Sequence, residues 1–172
     1  AKADTIVFDK TGTLTEAQPK LARVIPTDGW SEDEVLRFAA CLEEHFPHPV
    51  ARAVVAAAQE RGLEHRERHA AVEYIVAHGI ASALDGKRAV IGSAHFVFED
   101  EHAHLDSEAL SRVEAEMEGL SPLFLAVDGE VVGVLGIEDP LKPGVKEAIA
   151  ELRDLGFKHI VMLTGDSTRT AT

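Results

Sequence analysis

The sequence predicts an α/β fold in which a parallel sheet is interrupted by a long α+β insertion. Residues 5–8 form a continuous apolar run, typical of a buried parallel strand, and this run ends on Asp9. Residues 159–163 form a second such run, which follows an amphipathic segment and ends on a Thr-Gly-Asp sequence. Between the two runs, two Asp-Gly pairs each separate strand-like segments, as in antiparallel hairpins. The two ends of the chain are therefore predicted to share one sheet, with a separate domain between them.

Residues 1–20 and 137–172 are the two predicted parts of the interrupted α/β domain, and residues 21–136 are the predicted insertion. Pro143 is predicted to open a helix in the last part, because proline is favoured at the first helical position. Gly156 is placed to end that helix before the strand at residues 159–163.

Signals within the insertion predict an antiparallel sheet flanked by helices. Ser31 and Glu34 have the spacing of a capping box at the start of a first helix. Pro49 is placed as the first residue of a second helix, which Gly62 ends. The other predicted elements are a short extended piece at 22–25, strands at 72–77, 80–84 and 88–91, a helix at 107–118, and strands at 123–127 and 131–137.

The composition excludes several classes of partner. The chain has 17 Lys and Arg against 30 Asp and Glu, a formal charge of −13, which argues against a nucleic-acid partner or an anionic membrane surface. A local ATP site remains compatible with an acidic protein. The single Cys41 allows no internal disulfide, and its position beside Leu42 on an apolar helix face favours a core thiol. No apolar run reaches about 18 residues, so no segment is predicted to span a membrane by itself.

The segment from Asp9 to Thr15 carries the most specific chemistry. A carboxylate at the end of a parallel strand faces the crevice in which open α/β sheets bind ligands, and Asp can attack phosphorus to form an aspartyl-phosphate. Gly12 lets the backbone approach a phosphate closely. Lys10 adds positive charge, and Thr11 supplies a hydroxyl donor, so the segment suits phosphoryl transfer.

This segment resembles the phosphorylation motif of the P-type ATPases, within the haloacid dehalogenase-like superfamily, whose phosphorylation domain has a Rossmann-like fold. The resemblance implies that ATP phosphorylates Asp9, and that Thr11 contacts the phosphate and gives a backbone carbonyl to Mg²⁺. The Mg²⁺ site implied here is incomplete, with Asp9 and Thr11 as its ligands. The catalytic residues implied by the resemblance are Asp9, Lys10, Thr11, Thr164, Gly165 and Asp166. The segment Asp139-Pro140-Leu141-Lys142 resembles the point at which the chain re-enters the phosphorylation domain.

The insertion resembles the nucleotide-binding domain of heavy-metal-transporting (P1B) P-type ATPases. The resemblance implies that a small set of residues holds adenine and the α- and β-phosphates of ATP. This set is Glu43, His48, Pro49, Gly79, Ile91, Gly92 and Ser93. The sequence departs from the family pattern at Phe46-Pro47, where the relatives usually have Ser-Glu, and at Ala77 and Ser93.

The resemblance also implies partners and a location. These are a nucleotide, a transported metal cation, and the actuator and transmembrane domains of a parent protein, whose cytoplasmic part this chain would be. A Gly-Asp-Gly segment and a supporting Lys, which complete the family's phosphorylation domain, do not occur in the sequence. We therefore expect an incomplete phosphorylation domain, with nucleotide binding but little or no turnover. An unpaired apolar sheet edge would favour self-association.

Two alternatives remain open at this point. One is a soluble haloacid dehalogenase-like phosphatase with residues 21–136 as its cap, although Thr11 stands where many such enzymes carry an acid. The other is a His-rich metal-binding module, since His65 and His69 have i, i+4 spacing and His102 and His104 lie two residues apart. Exposed polar positions explain these histidines more simply.

Overall fold

The computed structural model describes residues 3–27, 29–44, 46–63, 73–75, 79–84 and 86–163. The chain forms two compact units. One unit, here called the split unit, comprises Ala1–Pro19 and Asp139–Thr172. The other, the inserted unit, comprises Lys20–Glu138. Along the chain the elements are β1 (Thr5–Asp9), β2 (Lys20–Pro26), α1 (Glu32–Glu43), α2 (Pro49–Glu60), β3 (Glu73–Ile75), β4 (Gly79–Leu84), β5 (Lys87–Gly92), α3 (Ser107–Glu116), β6 (Ser121–Val127), β7 (Glu130–Glu138), α4 (Val145–Asp154) and β8 (His159–Leu163).

In the split unit, β1 and β8 pair in parallel, from Thr5 opposite His159 to Asp9 opposite Leu163. This pairing of the two chain ends confirms the predicted α/β arrangement. Helix α4 begins later than predicted, because Gly144 adopts a left-handed conformation (φ +84°) and places Pro143 in a turn before the helix.

The sequence predicted that the strands of the split unit are buried on both sides, but the structure shows that they are not. Alternate residues of β1 and β8 face solvent in the described structure, and Val7 and Leu163 are 51% and 60% exposed. The other side chains of each strand are half-buried. The apolar runs therefore identified the strands correctly but overestimated how far they are covered.

The sheet of the inserted unit has the strand order β2-β7-β6-β5-β4-β3, and all of its pairs are antiparallel. Helices α1 and α2 pack on one face, around a core that includes Leu36 and Leu135. Helix α3 and the helical turn Phe96–Asp100 pack on the other face, around Phe96 and Phe124. This arrangement confirms the predicted antiparallel sheet flanked by helices.

Two local features that the sequence predicted, a helix cap and a hairpin turn, are formed in the structure. Ser31 and Glu34 form both hydrogen bonds of a capping box at the start of α1. Asp128 and Gly129 both have positive φ, +50° and +82°, as a two-residue type I′ hairpin requires. The helical turn at Phe96–Asp100 was not predicted from the sequence. Parts of the strand predicted at residues 72–77, and Asp85 of the first Asp-Gly pair, lie outside the described residues.

Strand β7 lies between β2 and β6 and is covered on both faces, with residues 131–137 all buried. Two glycines let the helices approach its opposite faces closely. A Cβ at Gly133 would lie 2.6 Å from both Cγ atoms of Val35 in α1. A Cβ at Gly136 would lie 2.6 Å from Leu120 and 2.7 Å from the Met117 sulfur, on the side of α3. Helix α1 and the residues that follow α3 therefore approach a strand that lacks side chains at these two points.

We expect Gly133→Ala to lower the free energy of unfolding by about 1–3 kcal/mol, because the new methyl group overlaps the branched Val35 side chain. Urea denaturation of the variant and the unchanged chain measures the difference. In Val35→Ala/Gly133→Ala, the loss should be smaller than the sum of the two single losses. Additive losses would contradict the close approach of α1 to β7.

Candidate functional site

An open cleft of about 230 Å³ lies in the inserted unit, where the ends of β4 and β5 meet the connection between α1 and α2. Its walls come from elements that are distant in sequence but adjacent in the fold. The residues that line it are Glu43, Phe46, His48, Val50, Gly79, Ile80, Ile91, Gly92, Ser93 and Leu123. Six of the seven residues that the sequence analysis assigned to the nucleotide therefore border one space. The seventh, Pro49, is the first residue of α2 and does not line the cleft.

The floor of the cleft is the end of the β4–β5 ladder. Gly79, the first residue of β4, pairs with Gly92, the last residue of β5. A Cβ at Gly79 would lie 2.4 Å from the Phe96 ring and 2.5 Å from the Ile91 carbonyl oxygen. Glycine at position 79 is thus required by packing against Phe96. Gly79, which the resemblance assigned to the nucleotide, thus lies at the start of a strand.

Among the described residues that line the cleft, Glu43 is the acidic one. It is the last residue of α1 and only 6% exposed. Burial of the carboxyl group raises its pKa from the ordinary value of 4.5 to about 7, because the charged form loses its hydration. A buried carboxyl at a cavity wall can accept a hydrogen bond from a ligand when it is charged, and can donate one when it is protonated.

His48 stands immediately before α2 and caps it. Its Nδ1 atom accepts a hydrogen bond from the Val50 N–H at 3.3 Å. A neutral imidazole whose Nδ1 accepts a bond carries its proton on Nε2, so His48 is assigned a donor at Nε2. The capping bond thereby fixes which hydrogen-bonding group the ring can offer to a ligand in the cleft.

Ser93 follows β5 and begins the next turn of the chain. Its hydroxyl oxygen accepts a hydrogen bond from the Phe96 N–H at 3.3 Å, and its carbonyl accepts one from the Val97 N–H at 3.0 Å. The hydroxyl thus stabilises the helical turn at Phe96–Asp100 while it borders the cleft. The sequence analysis therefore identified the position but not its structural role.

Sequence reasoning missed four cleft residues: Phe46, Val50, Ile80 and Leu123. Ile80 follows Gly79 in β4, and Leu123 lies on β6, which is separated from β4 by β5. A pattern of apolar residues predicts that such side chains are in the core, and it carries no signal that the core opens there. Phe46 was visible in the sequence only as a departure from the family pattern.

The segment predicted to carry phosphoryl chemistry forms a tight turn after β1 in the split unit. Asp9 ends β1 and is exposed, as is Thr11, whereas Lys10 is only 9% exposed. The Thr15 N–H donates to the Lys10 carbonyl at 3.1 Å, and Gly12 has φ +77°, which favours glycine. The turn therefore presents the Asp9 carboxyl group and the Thr11 backbone on the surface of the split unit.

Residues 139–142 hold this turn from a distant part of the sequence. The Thr15 hydroxyl lies 2.5 Å from Asp139 Oδ2 and 3.2 Å from the Gly12 nitrogen, whose N–H donates to it. The Lys142 ammonium group donates to the Gly12 carbonyl, and the Lys142 N–H donates to the Leu14 carbonyl at 2.9 Å. The segment that the sequence analysis assigned to the re-entry of the chain thus packs directly on the turn after Asp9.

Other predicted site residues fall outside this description. Thr164, Gly165 and Asp166 directly follow β8, but they lie outside the described residues. Among the described residues, no three His, Cys, Asp or Glu side chains come together in a way that could hold a metal ion. None of the helices described is long and apolar enough to cross a membrane.

Comparison with known proteins identifies the family of this chain. Residues 3–172 match the family described as haloacid dehalogenase-like hydrolase, and the chain belongs to this family. It is 43% identical over 171 residues to a copper-exporting P-type ATPase of Legionella pneumophila. That match covers 99% of this chain but only 23% of the relative, so the chain spans about a quarter of the length of that protein.

Solved structures agree with this relationship. A zinc-transporting PIB-type ATPase in the E2.Pi state matches 99% of this chain at 32% identity, with a TM-score of 0.69, over 27% of its own length. The N-domain of HMA8, a copper-transporting P-type ATPase, matches 69% of this chain and 99% of its own length at 26% identity, with a TM-score of 0.63. The relatives thus include both copper and zinc transporters.

We expect Glu43→Gln to raise the free energy of unfolding at pH 8, by up to roughly 3 kcal/mol, and to have little effect near pH 4.5. The pKa of Glu43 is about 7 in the folded chain, above its ordinary value of 4.5. Between these two pH values the folded chain therefore keeps a proton on Glu43 that the unfolded chain has lost. The stability contributed by this group is full below pH 4.5 and is lost as the pH rises through 7.

Denaturant unfolding at several pH values tests this expectation. Glu60→Gln is the matched control, since Glu60 is exposed at the end of α2. The difference between Glu43→Gln and the unchanged chain should grow between pH 4.5 and 7, and the control should show no such growth. A difference that is constant with pH would refute the raised pKa.

Proposed function

We propose that this chain is the ATP-binding and phosphoryl-accepting part of a P-type ATPase that exports a heavy-metal cation. The observation that carries the proposal is the cleft in the inserted unit. It brings Glu43, His48 and the paired glycines of β4 and β5 to one space, although they are distant in sequence. Membership of the haloacid dehalogenase-like hydrolase family supports the phosphoryl-transfer part of the proposal.

The cleft suits the nucleoside end of ATP. Its walls are mostly apolar, through Val50, Ile80, Ile91 and Leu123, and a flat heterocycle gains by leaving water there. Polar groups at the rim give orientation. The Glu43 carboxyl group can bind an exocyclic amine, and the Nε2–H of His48 can donate to a ring nitrogen or a nearby oxygen.

In the proposed reaction, an Asp9 carboxylate oxygen attacks the γ-phosphorus of ATP. The bond between this phosphorus and the β,γ-bridging oxygen breaks, ADP leaves, and an aspartyl-phosphate remains. The turn after Asp9 fits this role, because its backbone is held at Gly12 and Thr15 and the Lys142 ammonium group adds positive charge beside it. Thr11 cannot act as an acid or base, so the phosphoenzyme is expected to persist.

Mg²⁺ fits the donor chemistry of this turn, since hard cations prefer carboxylate and carbonyl oxygens. The Asp9 carboxyl group and the Thr11 carbonyl would hold it, and it would neutralise phosphate charge when bound. These are few protein ligands for an ion with octahedral coordination, which supports the expectation of little turnover by this chain alone.

The wider role is also part of the proposal. The parent protein would be an integral membrane protein with this chain on its cytoplasmic side, and with actuator and transmembrane domains as partners. The exported cation would be copper or zinc, the metals named for the relatives. The exposed Val7, Val161 and Leu163 of the split unit support an association with further protein surface, including a second copy of this chain.

Calorimetric titration of the 172-residue chain with ATP tests nucleotide binding. We expect His48→Ala to weaken binding by roughly tenfold, because it removes the Nε2–H donor. His48→Ser is the matched variant, since a serine at this position still caps α2 but cannot reach the cleft as imidazole does.

Both variants should bind ATP with similarly reduced affinity, whereas His48→Ala should unfold at a lower temperature than His48→Ser. Full ATP affinity in His48→Ser would show that His48 acts only as a cap. If the unchanged chain bound no ATP at millimolar concentration, the proposed nucleotide site would be wrong.

A further inference from the structure

Among the described residues, the carboxyl group of Glu43 has no partner of opposite charge. Glu43 is only 6% exposed, and it lines both the cleft and a second cavity of about 240 Å³ between the end of α1 and α2. Within the described part of the chain its side chain makes no hydrogen bond or ion pair, and burial is the cause of its raised pKa. Such a group is favoured to keep its proton at a pH where an exposed carboxyl group has lost it.

The groups around the end of α1 do not favour a negative charge at Glu43. It is the last residue of α1, whose final turn has no basic residue, so it lies at the negative end of the helix dipole. Glu44 follows it and adds a second carboxyl group. Arg52 in α2 borders the second cavity, but it is exposed to solvent and donates to the Pro47 carbonyl at 3.3 Å. The local field therefore opposes a carboxylate at this position.

Two histidines are the other titratable groups close to Glu43 in the sequence. His48 lines the same cleft, and its Nδ1 atom accepts a bond from the Val50 N–H. His45 lies outside the described residues. The lining residues from β4, β5 and β6 are glycine or aliphatic, and Ser93 after β5 is uncharged. When His48 is neutral, no positive charge therefore faces Glu43 from the described walls of the cleft.

A nucleotide bound in the cleft would strengthen the preference of Glu43 for its proton. The ligand removes water from the carboxyl group, and the negative charges of ATP add repulsion, so both effects disfavour the charged form. A neutral carboxyl group has an O–H donor beside a carbonyl acceptor. Adenine offers the matching pair, a ring nitrogen that accepts next to an exocyclic amine that donates. A neutral carboxyl group can therefore form two hydrogen bonds with this edge of the base, whereas a carboxylate can only accept from the amine.

We propose that Glu43 binds the base as a neutral carboxylic acid, which donates to a ring nitrogen and accepts from the exocyclic amine, so that ATP binding weakens as the pH rises. The inference rests on the proposed nucleotide-binding function and adds a control of that site by pH. At a pH where Glu43 of the free chain has lost its proton, binding takes a proton from the solvent and transfers it to a carboxylate oxygen of Glu43. No other bond forms or breaks.

Calorimetric titration of the 172-residue chain with ATP at pH 7, 8 and 9 tests this coupling. The range lies above that in which phosphates and imidazoles ordinarily titrate, about pH 6–6.5. We expect the dissociation constant to rise with pH by up to about tenfold per unit, because the pKa of Glu43 in the free chain is about 7. Titrations in buffers of different ionisation enthalpy should show an uptake of up to about one proton per ATP at pH 8.

Variants of Glu43 separate the neutral acid from the carboxylate. The amide of Glu43→Gln has a donor, an acceptor and no charge, so this variant should bind ATP with an affinity that changes little between pH 7 and 9, without proton uptake. Glu43→Leu should bind ATP roughly tenfold more weakly at pH 7, because it can form neither hydrogen bond. Glu44→Gln is the matched control and should keep the pH dependence of the unchanged chain. Circular dichroism at each pH checks that the variants are folded.

The outcomes distinguish this inference from the proposed function. An ATP affinity that is constant or rises from pH 7 to 9, or a release of protons on binding, would overturn the neutral acid. An unchanged pH dependence in Glu43→Gln would assign the proton to another group and would also overturn it. In these cases ATP binding by the unchanged chain would stand. If the unchanged chain bound no ATP at pH 7 and millimolar concentration, the proposed function would fail, and the inference with it.

The proton uptake of the unchanged chain is measured without any variant. It therefore decides the inference even if Glu43→Leu fails to fold.

Discussion

The inserted unit depends on burying both faces of β7 at once. Helix α1 approaches one face at Gly133, and the chain around α3 approaches the other face at Gly136, because neither position has a side chain. Helix α1 ends at Glu43, which lines the cleft at the end of the sheet where β4 begins and β5 ends. Beyond Glu138, the same strand leads directly to Asp139, which binds Thr15 in the turn after Asp9. Packing around one strand thus sets the geometry of the cleft, and its continuation holds the turn.

The cleft also carries an energetic cost in the free protein. Glu43 is buried beside apolar side chains, and the loss of hydration raises its pKa to about 7. A ligand that offers a hydrogen-bond donor to the carboxyl group would offset this cost. An unfavourable group at a cavity wall is typical of a functional site, since packing alone would favour an apolar residue there.

The sequence was sufficient for the features that rest on local signals or on a specific motif. The capping box at Ser31, the proline at the start of α2 and the Asp128-Gly129 hairpin are dictated by a few neighbouring residues. The sequence was insufficient where contacts between distant parts of the chain determine the local structure. Gly79 packs against the ring of Phe96, which lies in the helical turn after β5, and this contact could not be read from either segment alone. The predicted helix start at Pro143 failed because Gly144 takes a left-handed conformation. Phe46 entered the cleft unpredicted, since a single apolar residue between two helices carries no signal of a ligand.

Amide NMR of the isotopically labelled 172-residue chain, recorded during titration with ATP, tests most directly whether the cleft binds nucleotide. The account predicts that the largest shift changes fall at Gly79, Gly92 and Ser93, on the floor of the cleft. Amides of α3, on the opposite face of the sheet, should change little. Large changes confined to α3, or no change anywhere at millimolar ATP, would contradict the account.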